Sequence, residues 1–441
     1  MNAPLLTRLS ASGLARLDRE RPEGAAPLGW RCFQLGLFVL PSSALIAGLL
    51  LLVALIQGSR GRSPWWRDRC NQLLALVAGL MVCGALSATL QASQVPAYPP
   101  SLAWAGLFNW LPFFWAFWGF QPYLADSAAR RRVALALVAG TVPVVVTGLG
   151  QLFLGWHGPW QILGGAVIWH VREGGNPPQR LAGLFDYANV AGSWLSLTWP
   201  FLLAALLSCR RRLRLGSLAA VTELVVLLAL TVAQVAALVL TDSRNAWGAV
   251  LLAIPLVVGP GSWLWLLPVL ALSLLPVLLA VLPGVPAAVQ VPMRELVPQS
   301  LWGRLNDVNS HGDRPVQITR LMQWSLAVEW IQQRPWLGWG AAAYSVLYPL
   351  RTGFSLNHAH NIAVDLALSF GIPVALLLVG LVLWLLLRGA RRGMTGASTF
   401  DRAWWASALV LASLHAADIP MYDSRLNIAG WVLLAGLRCW R

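Results

Sequence analysis

The chain has 441 residues, of which 57% are hydrophobic and only 11% charged, where soluble domains carry about 25% charged residues. That balance, with a mean hydropathy of +0.63, excludes a soluble globular fold and predicts an all-α polytopic bundle of about 11–12 membrane helices. The net charge of +15 rests on 32 basic residues, all of them arginine. It does not point to nucleic acid, because most of it lies in short connectors between apolar runs, where it sets topology.

Residues 1–30 mix Arg8, Arg16, Arg19 and Arg21 with Asp18, Glu20 and Glu23. This stretch is too long and acid-rich for a secretory leader and reads as a cytoplasmic tail. The first apolar run, near 32–57, is interrupted by Pro41-Ser42-Ser43, which predicts two short helices in a hairpin if neighbours bury them. Eleven crossings follow if that run crosses once, twelve if it crosses twice. Further runs lie near 70–91, 103–124, 132–155, 182–208, 217–240, 244–260 and 262–283, completing an N-terminal membrane region over 31–283. A hydrophilic stretch occupies 284–360, and the runs 361–387, 403–417 and 426–438 fill a C-terminal region over 361–441.

The connectors alternate. Those at 58–69, 126–132, 209–214 and 388–402 are arginine-rich and predicted cytoplasmic; 92–102, 156–181, 241–243, 284–360 and 418–425 are poorer in positive charge and predicted external. The five cysteines, Cys32, Cys70, Cys83, Cys209 and Cys439, fall in or beside spans or cytoplasmic ends, so no disulfide framework is expected. Within 284–360, residues 317–333 place Ile318, Met322, Leu326, Val328 and Trp330 as a partly amphipathic helix at the interface, ended by Arg334-Pro335.

The polar residues that survive among apolar runs are the functional candidates. Arg244, in the external turn TDSRN, is either an interfacial arginine or a partner for an anion. Arg320 heads the predicted loop helix, with Arg304 and Arg314 upstream; a helix N-terminus with a guanidinium fork suits a phosphate. His358 and His360 share a face, and one of them offers a base for a hydroxyl nucleophile. Asp365 and Asp418 add carboxylates, but no spacing here matches a zinc pattern. Asn361 follows the histidines and equally suits a helix cap. Arg180, Asp186 and Asn189 line the entry of another span, and DIPMYDSRLN brings Asp418, Asp423, Arg425 and Asn427 to the same face. Glu223 and Asp365 are isolated carboxylates, expected either to pair with buried arginines or polar groups or to stay neutral.

Four segments carry a family resemblance: RLAGLFDYANVAGSWL (180–195), TDSRNAW (241–247), ITRLMQWSLAVEWIQQRPWLGWGAAAY (318–344) and HAHNIAVDLALSFGIPVALLL (358–378). Together they resemble the O-antigen ligase and O-antigen polymerase superfamily of bacterial membrane glycosyltransferases. The resemblance implies about twelve membrane helices with a large periplasmic loop between late helices, in the inner membrane, with the active site facing the periplasm. It implies transfer of a glycan from undecaprenyl diphosphate to a sugar on lipid A–core, with no metal or other cofactor. The donor, a lipid or glycan acceptor and membrane lipids are then the partners. On this likeness Arg244, Arg320 and His360 are catalytic; His358, Arg304, Arg180, Asn189, Asn361 and Arg425, by their place on the same external face, are expected to bind substrate. The chain departs from the pattern at Asn245, where the family usually has glycine after SR, and at Tyr187-Ala188-Asn189. A repeat-unit polymerase is the nearest rival, and a transporter of a small anion such as bicarbonate is the rival of another class.

Overall fold

The computed structural model describes residues 17–60, 62, 64–91, 93, 97–213, 219–299, 302–303, 319–394 and 398–440. The all-α reading holds, with one small exception: an antiparallel hairpin of Trp160–Ile162 (β1) and Val167–Trp169 (β2).

The interrupted first run is indeed two helices, α1 (Pro27–Val39) and α2 (Ala44–Ser59), packed on one another. The hydroxyl of Ser43 accepts the backbone N–H of Ile46 and starts the second. Then come α3 (Arg69–Leu90), the short α4 (Pro100–Ala105) and α5 (Leu111–Gly119), and the long α6 (Ser127–Phe153). The run at 103–124, expected as one span, is broken into short pieces. Pro112 and Pro122 each open a new helical segment, and a proline lacks the N–H that would continue the previous one.

Next follow α7 (Ala188–Leu213), α8 (Ala219–Leu240), α9 (Arg244–Val258), α10 (Trp263–Val281) and α11 (Ala287–Leu296). Beyond them lie α12 (Arg320–Gln333), α13 (Ala343–Thr352), α14 (Ile362–Phe370), α15 (Ile372–Gly393), α16 (Thr399–Leu414) and α17 (Ser424–Cys439).

Among the described residues six helices are long and apolar enough to cross a membrane: α3, α6, α7, α8, α10 and α15. The helix α2 is apolar but has 16 residues, about 24 Å at 1.5 Å per residue. The expected span at 361–387 is two helices. Gly371, at φ 90°, divides α14 from α15, and a Cβ there would stand 2.1 Å from the carbonyl oxygen of Trp336. The spanning helix therefore starts at Ile372, and the histidine segment leads into a separate nine-residue helix.

The helix α7 is the centre of the bundle, with 78% of its apolar window buried against 11% for α10. It packs on α6, α8, α9 and α16. Lipid supplies little hydrophobic drive between helices, so polar bonds help to register them. Gln234 of α8 donates to the Leu195 carbonyl at 2.9 Å, Ser407 of α16 to that of Leu197 at 2.6 Å, and Trp194 to the Thr141 hydroxyl at 3.0 Å. Glu223 pairs with Arg212.

At the arginine-rich end, Arg130 of α6 reaches Asp401 of α16 with Nε at 2.9 Å and Nη2 at 2.8 Å, and donates Nη1 to the Leu124 carbonyl at 2.9 Å. Ser127 and Ser398 complete the carboxylate. Removing one partner of a buried pair leaves the other charge uncompensated, which costs about 3–5 kcal/mol. Arg130→Ala should therefore lower the melting temperature of the detergent-solubilised protein strongly. An unchanged melting temperature would show that α6 and α16 do not depend on the pair.

Candidate active site

At the other end of α16, four connectors converge: 180–187, 241–243, 355–361 and 415–423. The Ile362 N–H bonds the His415 carbonyl at 3.0 Å, and Asn361 donates to the Ala416 carbonyl at 3.0 Å. The Asn361 side-chain oxygen accepts the N–H groups of Ala363 at 3.0 Å and Val364 at 3.2 Å. Of the two readings of Asn361, the geometry gives the helix cap. Both ends of its amide are occupied, so it fixes where the histidine segment enters α14.

The loop helix arrives from the side. Thr319 caps α12, whose buried face is Gln323, Leu326, Ala327, Trp330 and Ile331. Its Trp324 donates the indole N–H to the Ala359 carbonyl, between the two histidines, at 2.8 Å. The PWLGWG turn then fits flush against the α14–α15 break. Trp339 and Gly340 donate their N–H groups to Leu368 and Ser369 at 2.8 and 2.9 Å, and Ile372 donates to Pro335 at 2.8 Å. Gly338 has φ 69°, and a Cβ on it would lie 2.5 Å from the Ser369 backbone, so only glycine fits.

His360 adopts φ 52°, a left-handed conformation that costs a non-glycine residue about 1–3 kcal/mol and persists only where its surroundings impose it. In that conformation Nδ1 lies 3.0 Å from Oδ1 of Asp418. Beside a carboxylate, Nδ1 carries the proton, which leaves Nε2 as a lone-pair acceptor. His358 is different. Its Nδ1 accepts the backbone N–H of His360 at 3.2 Å, so the neutral ring holds its proton on Nε2, 3.8 Å from Asp418. The two rings meet edge to face, centroids 4.3 Å apart. His360 is thus the histidine arranged to take a proton, and His358 supports it.

Burial lowers the His358 pKa from its ordinary 6.5; Asp418 opposes the shift and Arg320 reinforces it. Donor atoms of His358, His360 and Asp418 all lie within 4.8 Å of one another, near enough to surround a cation. The donor chemistry does not suit one. The Nδ1 lone pair of His358 is already taken, and a metal on Nε2 would have to displace its proton.

Arg320, the first residue of α12, is within electrostatic reach of Asp418, Tyr344, Tyr187 and Arg244. Burial lowers its pKa from the usual arginine value, Asp418 pulling the other way and Arg244 adding to the shift. Its Nη1 is buried and makes no hydrogen bond. A desolvated guanidinium with an open donor, near a second one, has the chemistry to receive an anion.

Three further candidates stand one layer out. Arg180 donates Nε to the Thr241 carbonyl at 2.8 Å and Nη2 to that of Asp242 at 3.1 Å and to Asn189 Oδ1 at 2.6 Å. Arg180 and Asn189 thereby hold the turn that presents Arg244. Arg425 forks onto Asp423, donates to the Leu184 carbonyl at 2.7 Å and lies 3.9 Å over the Phe185 ring. Arg304 lies outside the described residues. Asp418, which the sequence offered only as one of several carboxylates on the external face with no role toward His360, is the group that orients it.

Beside the cluster, Ile362, Leu366, Leu381, Leu411, Met421 and Trp431 help to line an apolar cavity of about 190 Å³ between α14, α15, α16 and α17, with His415 in its wall.

Residues 229–379 match the family model described as O-antigen ligase. No curated protein matches the chain. The matched span contains Arg244, Arg320, His358, His360 and Asn361, while Asp418 lies beyond it.

Since the folded His358 is held below 6.5 and the unfolded ring titrates there, the unfolded state binds more protons once the pH drops beneath that value. Stability should therefore be retained above pH 6.5 and fall as the pH drops through it. Melting temperatures measured from pH 7.5 to 5.5 should decline less for His358→Gln than for the wild type. Equal declines would show that His358 does not titrate in this way.

Proposed function

We propose that this chain, a member of the O-antigen ligase superfamily, transfers a glycan from undecaprenyl diphosphate to a hydroxyl of lipid A–core or a similar acceptor at the periplasmic face of the inner membrane. The observation that carries the reading is the His360–Asp418 pair beside Arg320, whose buried Nη1 has no partner. The connectors that meet there, with the 284–360 segment, would face the periplasm.

In this reading the acceptor hydroxyl loses its proton to Nε2 of His360 as its oxygen attacks the anomeric carbon, and Asp418 stabilises the imidazolium that forms. The bond from that carbon to the diphosphate oxygen breaks, and the electron pair leaves with the diphosphate. Charge grows on the leaving group as the bond breaks, so Arg320 and Arg244 stabilise the transition state more than the bound donor. The apolar cavity beside α14 gives the polyprenyl chain a place next to the reacting end. A repeat-unit polymerase would use the same donor chemistry on another acceptor, and acceptor choice lies in loop shape.

The reading is tested by reconstitution with undecaprenyl-diphosphate-linked glycan and lipid A–core. Arg244→Ala, Arg320→Ala and His360→Ala should each lower kcat by roughly 10²–10³-fold, the scale of losing one transition-state donor, while the protein stays inserted. His358→Ala should be milder. Longer lipid-linked chains without transfer to core would make the protein a polymerase. No glycan product with several donors and acceptors would overturn the reading and leave labelled bicarbonate uptake as the next assay.

The cavity has its own test. Gly430 of α17 lines it, and Gly430→Phe should raise KM for full-length polyprenyl donors while sparing short-chain analogues. An equal effect on both would place the chain elsewhere.

A further inference from the structure

Between the two histidines, Ala359 is fully buried. Its carbonyl accepts the Trp324 indole N–H at 2.8 Å. Asp365, in the first turn of α14, donates its backbone N–H to the carbonyl of Asn361, the residue after His360, at 2.9 Å. Asp365 is only 4% exposed, and its Oδ2 accepts the hydroxyl of Tyr422. Tyr422 closes the short helical turn Pro420–Tyr422, in the same connector as Asp418. Its ring lies 5.8 Å from that of His358 at 34°. Asp365 thus ties the backbone that carries His360 to the connector that carries Asp418.

We propose that Asp365 and Tyr422 are positioning residues, a clamp built on a buried carboxylate that keeps His360 and Asp418 in register for proton transfer. The inference rests on the transferase reading above. Neither residue touches substrate in it; both act through the His360–Asp418 bond.

The need for a clamp follows from the backbone. His360 sits in the left-handed region, which relaxes unless neighbours over-determine it. Rotation there would swing Nδ1 away from Asp418, 58 residues further along the chain. Helix stabilisation alone does not account for Asp365. An acidic group in a first turn interacts well with the helix dipole while solvated, whereas this one is buried and its carboxylate accepts a tyrosine hydroxyl.

The test uses the full-length protein with Tyr422→Phe and Asp365→Asn. Tyr422→Phe removes one hydroxyl from a residue that is 42% exposed, so it serves as the variant that folds should Asp365→Asn not. Each should lower kcat about 10–100-fold, the scale of a misplacement near 1 Å, without changing KM for the lipid-linked donor. In combination with Asp418→Asn, Tyr422→Phe should add no further loss, because the bond it protects is already gone. Independent, multiplying losses would overturn the clamp.

A second readout needs no transfer activity. Carbethoxylation of His358 and His360 by diethyl pyrocarbonate, followed by mass spectrometry, should be faster in Tyr422→Phe than in the wild type. Unchanged labelling rates would overturn the clamp whatever the enzyme's substrate. An inactive wild type with accelerated labelling would instead fault the transferase reading and leave the clamp standing.

Discussion

Hydrocarbon offers no hydrogen-bond partner, so every polar group in a bundle of this kind must be satisfied by the protein or gathered where water and headgroups reach it. That constraint organises the chain. Inside the bundle the polar side chains are few, and they bond across helices, as Gln234 does to Leu195 and Trp194 to Thr141. The charged groups collect at the helix ends. The helix α16 shows the division: Asp401 at its start closes a buried pair with Arg130, while the connector leaving its far end carries Asp418.

The two ends use their arginines in opposite ways. Arg130 is fully engaged by Asp401, the Leu124 carbonyl and its setting between α6 and α16, which makes it part of the scaffold. Arg320 is desolvated and keeps one donor unmet. An unmet buried donor is costly, and an anion bound there would recover that cost. Arg180 and Arg425 sit between these cases, their forks bonded to the carbonyls and side chains of the connectors that bring Arg244 and Asp418 into place. Rigid support of this kind is what a charge-stabilising site requires, because donors that reorganise during reaction lose most of their value.

The histidine pair illustrates how little sequence distance says about chemical role. His358 and His360 are two residues apart and equally suited to base catalysis by type. One hydrogen bond separates them: the His360 N–H occupies Nδ1 of His358, while Asp418 takes Nδ1 of His360. The first ring becomes a support and the second retains an open nitrogen.

Local patterns sufficed for much of the architecture. Composition alone placed the chain in a membrane, proline and serine marked the α1–α2 hairpin, the pattern over 317–333 located α12, and Asn361 before an apolar run marked the start of α14. The arginines and histidines were singled out because charge next to hydrocarbon is expensive. Other features were invisible at that level. An apolar run looks continuous whether or not a glycine at φ 90° cuts it, so 361–387 read as one span. The engagement of Arg180 and Arg425, the orientation of His360 by Asp418 and the clamp from Asp365 to Tyr422 join positions that lie far apart in the chain or on separate elements. Periodicity and propensity act over a few residues, and such pairings exist only once the helices have packed and brought their connectors to one end of the bundle.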